Sequence, residues 1–150
     1  MALNDFKKMS EYDHQSGLGT YNNNTNVFKW VLVTNTFASI DADAVNIGIA
    51  TLTKVPSAGA YVQDSTLANS AWSRAANVSK LDFDDFAYAA DPSNPVTAKT
   101  WVCYNDTSAN KDIYKVVDMT VDSGVTAADT KLGFNYTVAA AGAGTVTTNV

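Results

Sequence analysis

From residue 27 onward, apolar and polar positions alternate with the period of two that a strand requires, because successive side chains leave a strand on opposite faces. Residues 27–34 are dense in β-branched and aromatic types and put Phe28, Trp30 and Leu32 on one face with Lys29 on the other, which predicts a strand. Residues 45–52 predict a second strand, weakened by Gly48, while 41–44 before them could equally open a helical turn. Pro56 and Gly59 end that region. Residues 61–73 and 78–83 predict two strands joined as a hairpin across 74–77, with Val78, Lys80 and Asp82 alternating against Ser79, Leu81 and Phe83. Residues 85–89 place Phe86 and Tyr88 on one face and stop at the turn formers of 91–95. The clearest unit is a pair of strands, 99–104 and 113–119, flanking the polar loop 105–110. Residues 131–138 predict a last clear strand with Leu132, Phe134, Tyr136 and Val138 facing one way. The tail from Ala139 is small-residue chain that ends in an edge strand over 145–150.

Residues 1–26 follow neither period. They offer polar side chains and turn formers, among them Gly17, Gly19 and the run Asn22-Asn23-Asn24. A short helix over 3–12 is one option, but the segment is expected to be an extended N-terminal arm that orders against a neighbouring molecule, leaving 27–150 as the folded domain. Many short strands, turn signals between them and no helical stripe predict an all-β fold, an antiparallel β-sandwich or jelly-roll-like domain. No internal repeat of fixed period is present.

Composition narrows the function classes. The chain has 150 residues, 46% apolar and 17% charged, enough for one core without disulfides. Ten basic against fifteen acidic residues leave a net charge of -5, which a phosphate backbone would repel, so no nucleic-acid partner is expected. Lys7-Lys8 is followed by Glu11 and Asp13 and sustains no basic patch. The first residues lack the basic start and apolar run of a signal peptide, and no stretch has the length of a membrane span. Synthesis in a cytoplasm and no membrane partner are therefore expected. The single cysteine, Cys103, lies among Trp101, Val102 and Tyr104 and is expected to be a buried, inert thiol.

Chemistry-bearing sets are sparse. His14 is the only histidine, so any nucleophile–base scheme would have to use a residue of the arm; a solvated histidine is expected instead. Asp82, Asp84 and Asp85 could in principle make a glycosidase acid pair or a calcium site, but the glycine and terminal glutamate of a calcium loop are missing, and a solvated strand end is expected. Asp41 and Asp43 are treated alike, and Gly142-Ala-Gly144 neither follows a strand nor opens a helix, so no cofactor is expected. The sequons at Asn23, Asn77, Asn105 and Asn135 carry no weight without an export signal. Trp30, Trp72, Trp101, Phe134 and Tyr136 are expected in the core. Tyr12 and Tyr21, in the polar arm, are not explained by a core, and with Phe6, Asn22, Asn23 and Asn24 they form the candidate partner-binding set.

Three elements carry a family resemblance: Trp72-Ser73-Arg74, then Lys80-Leu81-Asp82-Phe83-Asp84-Asp85, then Tyr104-Asn105-Asp106-Thr107 through Asn110. In that order, with Val31 to Thr36 ahead of them, they resemble a family of tailed-bacteriophage virion proteins. The resemblance covers roughly residues 27–138. It implies a capsid decoration, or cement, protein: a β-sandwich or jelly roll on the outer surface of the phage head, dimeric or trimeric, with the major capsid protein as partner and no catalytic residues. The long N-terminal segment and the spacing from Thr36 to Gly59 depart from the family pattern. On this reading the arm would reach across a capsomer boundary. The alternative is a tail or fibre component or a host-surface binding module, recognising through loops 91–95 and 105–111.

Overall fold

The computed structural model describes residues 6–45, 47–75, 78–84, 86–88, 93, 95, 98–118, 129–131, 134–138 and 144–148. In chain order these give β1 (Phe6–Lys8), α1 (Ser10–Gly17), β2 (Phe28–Val33), β3 (Ser65–Leu67), β4 (Ala71–Ala75), β5 (Val78–Asp82), β6 (Phe86–Tyr88), β7 (Thr100–Asn105), β8 (Ile113–Asp118), β9 (Asp129–Lys131), β10 (Phe134–Val138) and β11 (Gly144–Thr148). The fold is mostly β, organised on a five-stranded antiparallel sheet of order β1-β8-β7-β2-β3. Among the described residues α1 is the single α-helix. A second sheet has the order β6-β11-β10-β9, and β4 pairs β5 as a hairpin.

The central strands owe their place to continuous apolar character. Every residue of β7 and of β8 is buried, so both faces of the sheet's middle are covered. Trp30 lies opposite Cys103 and Leu32 opposite Trp101, which brings the Trp30 and Trp101 rings to 6.5 Å, stacked. Between Cys103 and Tyr104 the register shifts, so that Lys115 and Ile113 find partners and Tyr114 is the extra residue. Such a bulge re-aims a side chain. Here the Tyr114 ring meets Tyr12 at 5.0 Å and Phe28 at 5.9 Å.

The N-terminal segment corrects the expectation of an arm. Phe6 in β1 pairs with Val117, so the segment supplies the edge strand of the main sheet. Lys7 Nζ donates to the carbonyls of Phe37 and Ile40 at 2.8 and 2.9 Å. Met9 and Tyr12 are buried in the common core at 0% and 2% exposure. The physical reason is that Met9 and Tyr12, at the cap and first turn of α1, bury enough apolar surface to seat the segment despite its polar neighbours. Residues 6–26 are therefore part of the domain; the helix runs over Ser10–Gly17, not 3–12.

Other corrections follow from backbone geometry. Residues 45–52 hold a 3-10 turn, Ile49–Thr51, in place of a strand, because Gly48 bridges to Asp112 so closely that a Cβ would overlap the Asn110 carbonyl oxygen. The expected strand over 61–73 is broken at Asp64 and Asn69, whose φ values of 58° and 53° are left-handed. The strand over 131–138 is instead β9 and β10, paired antiparallel, and β11 lies between β6 and β10 and so is no edge. Trp72 is 41% exposed and leaves the expected core set, while Trp30 and Trp101 are buried at 3% and 2%. The side chains of Phe6, Phe134 and Tyr136 lie outside the described residues.

Candidate functional site

α1 stops at a Schellman closure that follows from one glycine. Gly19 has φ +76°, its N–H donates to Ser16 O at 3.1 Å, and the Thr20 N–H donates to Gln15 O at 3.0 Å. The chain then turns back over the helix, and Tyr21 lays its ring 4.8 Å from Tyr12 and donates its hydroxyl to Asp112 Oδ2 at 2.5 Å. Burial, reinforced by that carboxylate, pushes the Tyr21 phenol well above its usual range. Asn22 opens a local turn: its Oδ1 accepts from the Asn24 N–H at 3.1 Å and its carbonyl from the N–H groups of Thr25 and Asn26. Asn23 is buried, and its Oδ1 accepts from the Tyr12 hydroxyl at 2.9 Å. Asn24 Oδ1 accepts from the Trp72 backbone N–H at 2.8 Å, which joins this turn to the start of the β4–β5 hairpin.

Between these parts lies an open groove of about 560 Å³. Asp13, Ser16, Gly17 and Gly19 line it on the helix side; Tyr21, the asparagines 22–24 and Trp72 line it opposite. The carboxamide oxygens of Asn22 and Asn24 face backbone N–H donors, which fixes their orientation and leaves the NH2 groups as the outward donors. Among the described residues those NH2 groups, and that of Asn23, meet no acceptor, and the buried Ser16 Oγ has no hydrogen-bond partner. Asp13 is held 3.0 Å from Lys8 Nζ.

Four of the six residues in the candidate set line the groove: Tyr21 is half-buried against Asp112, Asn23 is buried, and Asn22 and Asn24 are exposed. Tyr12 is a core residue that touches them through the Tyr21 ring and the Asn23 amide. Phe6 is separate, in β1 of the main sheet. Trp72 and Ser16 were not in the set; Trp72 was expected in the core with the other aromatics, and only the Asn24–Trp72 bond across 48 residues brings it to the groove.

A second polar region closes β7 to β8. Asn105 is fully buried; its Oδ1 accepts from the Thr107 N–H at 3.0 Å and its Nδ2 donates to the Tyr12 hydroxyl at 3.5 Å. Thr107 Oγ1 accepts from the Val27 N–H and Ser108 Oγ from the Asp112 N–H, at 2.8 and 2.7 Å. Asp106 is bound by Lys111 and Lys29 at 2.7 and 2.8 Å, and these lysines hold its carboxyl below the usual range. Nearby, Asp64 binds Lys54 and accepts from the Tyr104 hydroxyl at 2.9 Å.

The other candidate chemistries find no assembly. His14 is exposed, 3.9 Å from Glu11. Asp84 is exposed and accepts from Asn69, Asp82 lies opposite Ala71 in the hairpin, and Asp85 is outside the described residues. Among the described residues no group of three or more His, Cys, Asp or Glu could hold a metal ion, and no helix is long and apolar enough to cross a membrane. Cys103 is 1% exposed, and burial pushes its thiol far above its usual range, which suits an inert core residue. Comparison with protein-family models, with curated proteins and with solved structures found no match.

Proposed function

We propose that this chain is a virion structural protein, a capsid decoration or cement protein that binds the outer surface of the major capsid protein lattice of a tailed phage and stabilises its head. In this reading the two sheets form a β-sandwich or jelly roll that acts as a dimer or trimer. The observation that carries it is how the motif residues are used. Trp72, Ser73 and Arg74 pair with Leu81, Lys80 and Ser79 in one hairpin, and Asn105, Asp106, Thr107 and Ser108 commit their side chains to holding the β7–β8 connection. Motifs of an enzyme family converge on a reacting centre; these define a scaffold. A scaffold with a net charge of -5 suits attachment to a repeating protein surface, where effective concentration multiplies weak contacts.

The second reading, a tail or fibre component or a host-surface binding module, is favoured by one observation, the open groove beside the exposed Trp72. Copy number separates the two. Mass spectrometry of purified particles should give on the order of hundreds of copies, in fixed ratio to the major capsid protein, as a lattice requires. A handful per particle would support the tail reading and sink the first. Particles assembled without the protein should lose their heads at lower temperature and regain stability when the purified chain is added.

A further inference from the structure

We propose that the groove between α1, the 18–24 turn and the β4–β5 hairpin binds a neutral saccharide, with the Trp72 indole carrying a pyranose ring and the asparagine amides donating to its oxygens. The groove's volume of about 560 Å³ falls in the range of small-molecule sites. Its chemistry is selective. Each of Asn22, Asn23 and Asn24 has its oxygen engaged by an N–H or O–H donor while its NH2 group meets no acceptor, so what these side chains chiefly offer is donors, which favours a ligand that brings acceptors. Trp72, 41% exposed, and the half-buried Tyr21 supply aromatic surface to the lining. The C–H face of a pyranose is apolar and weakly positive and complements the negative face of an indole.

Charge weighs against the anionic alternatives. Asp13 lines the groove, and the chain's net charge of -5 disfavours a phosphate or a sialylated sugar. The site is also built before the ligand arrives. The Schellman closure at Gly19, the Asn22 turn and the Asn24–Trp72 bond fix the donors on rigid backbone, which lowers the ordering cost of binding. The inference goes beyond attachment to a head and does not rest on it, because the groove belongs to one chain.

The test uses the full-length chain and three probes: chitotriose and maltotriose as neutral trisaccharides, and sialyllactose as the anionic comparison. Nuclear magnetic resonance titration at millimolar sugar should show saturable shifts of the Trp72 indole and the Asn22 and Asn24 side-chain amides with a neutral probe, and at least tenfold weaker binding of sialyllactose. Trp72→Ala should weaken the neutral probe at least tenfold, Trp72→Phe should retain most of the affinity, and amide spectra of both variants should show the fold intact. No saturable shift with either neutral trisaccharide, shifts that survive Trp72→Ala, or a preference for sialyllactose would overturn the proposal. Capsid copy number is untouched by any of these outcomes, so the two proposals fail separately.

Discussion

The β7–β8 connection and the groove beside α1 are both rich in asparagine, threonine and serine, yet they use these side chains in opposite ways. At the connection Asn105 employs both ends of its amide, and Thr107 and Ser108 each accept a backbone N–H of the chain. In the groove Asn22, Asn23 and Asn24 employ only their oxygens, and Ser16 Oγ employs nothing among the described residues. A polar group satisfied inside the chain specifies structure. One with donors left over specifies what comes next to it. Tyr12 joins the two regions, taking the Asn105 amide on one side and donating to Asn23 on the other.

Tyr12 is where that contrast breaks most sharply. Tyr12→Ala removes a 2% exposed ring from contact with Tyr21, Phe28 and Tyr114 and should cost about 3–5 kcal/mol in urea or thermal unfolding. Tyr12→Phe keeps the ring and deprives Asn23 and Asn105 of a shared partner, for about 1–3 kcal/mol. Asn105→Ala should also cost about 1–3 kcal/mol by the same measurement, because it leaves the Thr107 N–H without its acceptor. Asn22→Ala, at an exposed position of the groove, should change stability by about 0.5 kcal/mol or less. An equal loss at Asn22 and Asn105 would erase the distinction.

A pH profile sharpens it from the core side. Lys115, 6% exposed opposite Cys103, is pushed down to about 8 by burial. The unfolded chain therefore binds more protons than the folded one between about pH 8 and the usual lysine value, and stability rises with pH across that window. The buried phenols of Tyr12, Tyr104 and Tyr114 are raised, chiefly by burial, so above pH 10 the unfolded chain loses their protons first and stability falls. Unfolding free energy should thus climb from pH 8 toward 10 and drop beyond it. Lys115→Met should flatten the climb between pH 8 and 10.

Much of the main sheet was legible because its signal is local. The alternation at 27–34 and the polar loop between two apolar runs at 99–119 needed only neighbouring residues, and β2, β7 and β8 fall within those limits. What could not be read depends on contacts far along the chain. Nothing near Gly48 announces that Asn110 will sit against its Cα, and nothing near Phe6 announces Val117. The groove was half legible for the same reason. Tyr21 and the asparagines stood out as residues of a polar segment without a core role, but the Trp72 backbone reaches them only through a bond across 48 positions, so its ring was grouped with the core aromatics.

Imaging of the intact phage particle at side-chain resolution tests the central claim most directly. The account predicts density for this chain repeated over the outer surface of the head, in contact with the major capsid protein, with residues 6–26 folded onto the chain's own sheet. Density confined to the tail, or a head surface that carries none of it, would contradict the account.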